Sequence, residues 1–137
     1  MSEKLKALIV HSDPEEANAL ASTLNSAEFE VEHAPHGPAA FAAMFRSKFD
    51  LVVTDMKLKR LDGFHVIEAA KKIFASARII LLSGHVRRIG VDRILSVGRK
   101  FGAHEALDKT GGPRSVWKAL TRLFPGRIKD RRKTERD

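Results

Sequence analysis

The sequence predicts a doubly wound α/β protein, an open parallel sheet with helices on both faces. Two observations carry this. Short, uniformly apolar runs recur along the 137 residues, as strands covered on both faces do. Between them lie longer segments whose apolar residues return every three or four positions, the period of helices that cover such a sheet.

Residues 7–10 are all apolar and predict a central first strand. Asp13 is placed to cap the first helix, with Pro14 in its opening turn and Ala17, Leu20 and Leu24 on one face. Residues 29–34 alternate Phe29 and Val31 with Glu30 and Glu32, as an outer strand with one wet face does. A second helix starts near Gly37-Pro38 and is expected to turn Phe41, Met44 and Phe45 inward. Residues 51–54 form the third strand, and 64–74 the third helix, with Val66, Ile67 and Ala70 apolar. Residues 79–82 are again a continuous, central strand, followed by a fourth helix over 91–101 with Ile94, Leu95 and Val97 inward. Ala106-Leu107 is a short fifth strand, and 113–124 the fifth helix with Val116, Leu120 and Leu123 on its apolar face. Pro125-Gly126 stops that helix.

One domain over residues 1–124 accounts for these elements, with 125–137 a basic, mixed-charge tail too polar to bury much. There is no cysteine, which excludes disulfides, thiolate metal sites and a thiol nucleophile. The first apolar run is far too short for a signal-peptide core or a membrane span, so a soluble, cytoplasmic protein is expected. The net charge of +8 is uneven: residues 83–137 hold 15 Lys and Arg against 6 Asp and Glu, while residues 1–82 hold 10 against 11. An acidic partner for the C-terminal part is the functional reading of that excess, and a solvated surface the plain one.

Ligands of parallel sheets sit at the carboxyl ends of the strands, where the strand order reverses. The residues there are His11-Ser12-Asp13, Asp55, Ser83-Gly84 and Asp108-Lys109. Asp55 could accept a phosphoryl group, Ser83 hydrogen-bond one of its oxygens, and Lys109 neutralise its charge. Each residue alone has an ordinary explanation as a cap, turn former or surface group; the set in this order is specific. The six histidines show no helical HExxH pair, and His33 and His36 are expected at the surface. Trp117 is expected in the core. No nucleophile elbow points to a hydrolase, and no enzyme activity is predicted.

On these residues the chain resembles a response-regulator receiver domain of two-component, phosphorelay signalling from about Leu5 to Phe124. The stretch Phe49-Asp50-Leu51-Val52-Val53-Thr54-Asp55 with Leu61-Asp62-Gly63-Phe64 resembles the family's acceptor strand, loop and next helix. Ile80-Leu81-Leu82-Ser83 is similar to its hydroxyl-bearing strand, and Gly102-Ala103 with Leu107-Asp108-Lys109 to its last strand. The resemblance implies a flavodoxin-like, CheY-like strand order of 2-1-3-4-5, phosphorylation on Asp55, and an output face made of the fourth helix, fifth strand and fifth helix.

The departures from the pattern are equally specific. His11 and Ser12 stand where the family carries two acidic residues that hold a divalent cation with the acceptor. Lys59 and Thr110 replace prolines, and Ala106 replaces the aromatic that reports activation. Magnesium prefers octahedral oxygen ligation, so Asp55, Asp13 and the Lys57 carbonyl make at best a weak magnesium site, and the expected cofactor is none or weak magnesium. Lys57, His11 or Lys59 could supply positive charge instead, although solvent exposure is the simpler expectation for them. The Lys109-Thr110 peptide is expected to be trans.

The sequence therefore predicts a stand-alone, atypical receiver, or pseudo-receiver, acting as a protein-binding adaptor with impaired metal-dependent phosphorylation at Asp55. Its expected partners are a sensor kinase or another signalling protein with an acidic surface, bound through Arg87, Arg88, Arg93, Arg99 and Lys100, or a second copy in a homodimer. The alternative is a nucleic-acid-associated protein using the same basic half and the tail residues Arg127, Lys129, Arg131, Arg132 and Lys133. No helix-turn-helix pattern or aromatic single-strand platform accompanies it.

Overall fold

The computed structural model describes residues 4–84 and 90–128; the expected partner-binding residues Arg87 and Arg88 and the tail beyond 128 lie outside them. Five strands alternate with five helices: β1 (Leu5–Val10), α1 (Pro14–Ser26), β2 (Phe29–Ala34), α2 (Gly37–Arg46), β3 (Leu51–Asp55), α3 (Gly63–Ile73), β4 (Arg78–Ser83), α4 (Val91–Phe101), β5 (Glu105–Asp108) and α5 (Gly112–Leu123). The sheet has the order β2-β1-β3-β4-β5, and each pairing is parallel. Fold class and strand order agree with the sequence-based expectation.

Strand alternation divides the core in two. Leu8, Val10, Val52, Ile79 and Leu81 face the layer that contains Ala40, Met44, Val66, Ile67 and Leu95 from α2, α3 and α4. Ala7, Ile9, Leu51, Val53, Ile80 and Leu82 face Ala17 and Leu24 of α1 and Val116 and Leu120 of α5.

Short polar side chains start the helices where the strands end. Asp13 accepts the Glu15 N–H at 3.0 Å and Pro14 opens α1, Nδ1 of His36 accepts the Ala39 N–H before α2, and Asp62 accepts the His65 N–H before α3. At the other end of α4, Gly102 takes φ 119° and its N–H and that of Ala103 return to the Gly98 carbonyl, a closure that favours glycine.

Two inward expectations are corrected. Phe45 is 80% exposed: the buried set of α2 is Ala40, Ala43 and Met44, and the next residue is turned about 100° past that stripe. Val97 is only half-buried because Gly98 is the residue pressed to the sheet; a Cβ there would lie 2.2 Å from Leu81 Cδ2. Burial also continues past residue 124. Phe124 packs edge-on against Phe29 at 5.4 Å, and Ile128, an apolar residue within the polar segment, is buried in the α1/α5 layer. Trp117 packs partly buried against the same layer.

Candidate phosphoacceptor site

Because β1, β3, β4 and β5 are parallel, their carboxyl ends share one edge, and His11, Asp55, Ser83 and Lys109 lie on it. Asp55, the last residue of β3, is 4% exposed. Its Oδ2 accepts from Lys109 Nζ at 3.1 Å. Lys109 follows β5 in a single 3-10 turn, Lys109–Gly111, held by the Asp108 carboxylate, which accepts from the Thr110 N–H and hydroxyl at 2.9 Å. No peptide among the described residues is cis, so the Lys109-Thr110 bond is trans as expected.

Gly63 permits α3 to begin against this strand end. Its N–H donates to the Met56 carbonyl at 2.8 Å, and a Cβ would meet the Asp55 carbonyl oxygen at 2.5 Å and Met56 Cα at 2.9 Å. Backbone that close leaves room for glycine alone.

Ser83 shares the edge, but its hydroxyl is hydrogen-bonded elsewhere than to the Asp55 carboxylate. It lies one residue beyond Leu82, the partner of Asp55 in the β3–β4 ladder, and its fully buried hydroxyl donates to the Gly84 carbonyl at 3.0 Å. Lys57 and Lys59 are exposed. Asp13 is exposed as well, its carboxylate engaged as the α1 cap. That cap is the role which its position before Pro14 favours.

His11 is not the exposed residue expected. It is 2% exposed, with its N–H donating to Ala34 at 3.1 Å and its carbonyl accepting from His33 Nε2 at 2.8 Å. Its Nδ1 accepts the Asp13 N–H at 3.1 Å, so a neutral ring carries its proton on Nε2. That Nε2 lies 2.7 Å from Glu16 Oε2 and 3.7 Å from Asp55 Oδ2. In this tautomer His11 donates a hydrogen bond to Glu16 and brings no positive charge to Asp55.

Glu16 is the site residue that sequence reasoning missed. Its carboxylate reaches His11 and also Lys109 Nζ, at 3.3 Å, closing a ring of Asp55, Lys109, Glu16 and His11. In the sequence it looks like an acidic residue complementing the positive end of α1; its place one turn from a strand-end helix cap was the available signal. Burial disfavours the Lys109 ammonium, but the hydrogen bond and charge of Asp55, followed by those of Glu16, outweigh it and raise the lysine above its ordinary range. Beside the ring, a cavity of about 150 Å³ opens between α1 and α5, lined by Glu16, Leu20, Leu82, Lys109 and Val116.

The donor set does not fit a hard divalent cation. The positions that would complete a ligand set with Asp55 hold a neutral imidazole committed to Glu16 and a serine, and Lys109 bridges the two remaining carboxylates. Among the described residues no three His, Asp or Glu side chains gather as a metal cluster.

A buried aspartate paired with a lysine at the carboxyl edge of a 2-1-3-4-5 sheet defines a receiver-type signalling module. The chain belongs to the response regulator receiver domain family, whose model matches residues 7–121. It is 30% identical over 109 residues to the transcriptional regulatory protein RprY of Bacteroides fragilis (strain YCH46), covering 80% of this chain and 44% of that protein. It is 28% identical over 102 residues to a response regulator receiver protein of Anaeromyxobacter sp. (strain Fw109-5), covering 74% and 41%. The chain thus spans less than half the length of these two relatives. Among solved structures, the chemotaxis response regulator CheY4 of Vibrio cholerae superposes with a TM-score of 0.77 at 24% identity, over 89% of this chain and all of that one. A receiver domain protein of Clostridium thermocellum gives 0.77 at 24% identity, over 87% and 93%. Both share the fold.

Proposed function

We propose that this receiver domain serves as a signalling adaptor whose output depends on the charge of its α4–β5–α5 face more than on metal-assisted phosphorylation of Asp55. The observation that carries the reading is the ring at the acceptor: Lys109 is already shared by Asp55 and Glu16, and the acidic pair that would recruit magnesium is His11 and Ser12. Phosphoryl transfer relies on such cationic charge in its transition state. Magnesium affinity is correspondingly weak.

On the output side, Ala106 offers no ring to swing with Ser83, which removes one half of a two-state element. Arg93, Arg99 and Lys100 are exposed on α4, and Arg99 also reaches the Ala106 carbonyl at 3.4 Å. This basic face suits an acidic surface on a sensor kinase or another signalling protein in the cytoplasm. Affinity capture from lysate with the wild-type domain identifies the partner. Arg93→Glu with Arg99→Glu and Lys100→Glu should then weaken binding more than Asp55→Asn does, and added salt should act in the same direction. Loss of binding in Asp55→Asn with the reversals silent would make the domain a phosphorylation switch.

A second reading, regulation of transcription, is favoured by the relative RprY, described as a transcriptional regulatory protein. A salt-dependent gel shift by this chain would support it.

A further inference from the structure

Glu16 holds the lysine that the acceptor chemistry needs and the histidine beside it, and it has a position from which it can leave. Its side chain is 49% exposed, while those of His11 and Asp55 are 3% and 5% exposed. Its Oε2 is hydrogen-bonded to His11 Nε2 at 2.7 Å and to Lys109 Nζ at 3.3 Å, the same ammonium that Asp55 holds at 3.1 Å. Solvent and the cavity between α1 and α5 adjoin it, so the carboxylate can swing out without disturbing either core.

We propose that Glu16 is the gate of the acceptor site: a carboxylate from α1 that latches Lys109 and His11 and keeps anionic phosphodonors from Asp55. The proposal rests on reading Asp55 as the acceptor. A donor brings negative oxygens that require Lys109, and Glu16 opposes them twice. It already takes up one hydrogen bond of the ammonium, and its own charge repels the donor. With His11 neutral, the ring holds two carboxylates against one ammonium, so it carries net negative charge even with the lysine in place. Neighbouring Glu15 is exposed and lies in the same helical turn, but no hydrogen bond ties its carboxylate to the ring; it shares the electrostatics of the helix end without the latch.

Two readouts on Glu16→Gln, with Glu15→Gln as the control, test this. The first is acetylation of Lys109 by acetic anhydride, followed by peptide mass spectrometry relative to Lys118 in the same sample. Glu16→Gln should speed acetylation of Lys109 by roughly three- to tenfold, the scale of removing one half-exposed charge at hydrogen-bond distance, and Glu15→Gln should leave it unchanged. Equal rates in all three proteins overturn the latch. The second readout is labelling by phosphoramidate, in which the Asp55 carboxylate oxygen forms a bond to phosphorus, the P–N bond breaks, and ammonia leaves with a proton from solvent. The labelled fraction should rise by a similar roughly three- to tenfold in Glu16→Gln and vanish in Asp55→Asn. A lower labelled fraction in Glu16→Gln would make Glu16 a positioning residue for phosphorylation and refute the gate. Faster Lys109 acetylation with label persisting in Asp55→Asn would keep the latch and sink Asp55 as the acceptor.

Discussion

Lys109→Met should destabilise the domain because it strips the buried Asp55 carboxylate of its counter-ion. At the observed 3.1 Å, the direct attraction is about 5 kcal/mol for an effective dielectric constant of roughly 20. The lysine side chain is 29% exposed and that of Asp55 5%, so screening on the lysine side and the cost of holding a long side chain leave about 2 kcal/mol. Asp55→Asn removes the charge that needed compensation and relieves the net negative ring, so its own cost should stay below about 1 kcal/mol. In that background Lys109→Met should be nearly silent. Urea unfolding of the four proteins in the cycle reads this directly, the single lysine variant losing roughly 1 M in midpoint for a typical urea slope. If the two substitutions add to within about 0.5 kcal/mol, the pair is a surface contact and the counter-ion argument fails.

Gly63→Ala should cost about 2 to 4 kcal/mol, since its Cβ meets backbone rather than a movable side chain and puts the Met56 hydrogen bond at risk. Gly90→Ala, with no atom of the described residues within 4 Å of the added Cβ, is the matched control for the same unfolding assay and should be near neutral. His104 accepts the Ile79 N–H on Nδ1, and burial, then the Arg78 and Lys71 cations, hold it below its ordinary value of 6.5 despite the opposing Glu105. The unfolded chain therefore binds this proton more readily, and the stability linked to it is complete above pH 6.5 and lost as pH falls towards the folded value. Thermal unfolding from pH 8 to pH 5 should show that loss, and His104→Asn, which keeps an acceptor without titrating, should flatten it. Phe49→Ala should cost about 3 to 5 kcal/mol because Phe49 is 2% exposed, whereas Phe45→Ser should leave the midpoint within experimental error because Phe45 is mostly in solvent.

The strands and helices were legible because both signals are strong in this sequence: β1, β3 and β4 each contain an unbroken apolar run, and Asp13-Pro14 and Pro125-Gly126 mark helix ends. Phase within a helix was harder to read. Phe45 and Met44 are equally apolar, and only the sheet decides which of two neighbours a helix buries. At the site, Asp55 and Lys109 could be placed together because strand ends of a parallel sheet converge. Glu16 could not, since a side chain reaching back from a helical turn leaves no pattern apart from ordinary helix-end charge. His11 likewise reads as a surface residue until the backbone N–H of Asp13 fixes its tautomer.

On the proposed function, Lys109 balances the Asp55 carboxylate where a divalent cation would otherwise stand. Isothermal titration of the wild-type domain with magnesium, alone and with beryllofluoride, tests it most directly. We expect no saturable heat below several millimolar magnesium and no stable beryllofluoride adduct at Asp55, in keeping with a site that lacks the oxygen ligands magnesium requires. A sub-millimolar dissociation constant for magnesium, abolished by Asp55→Asn, would contradict the claim.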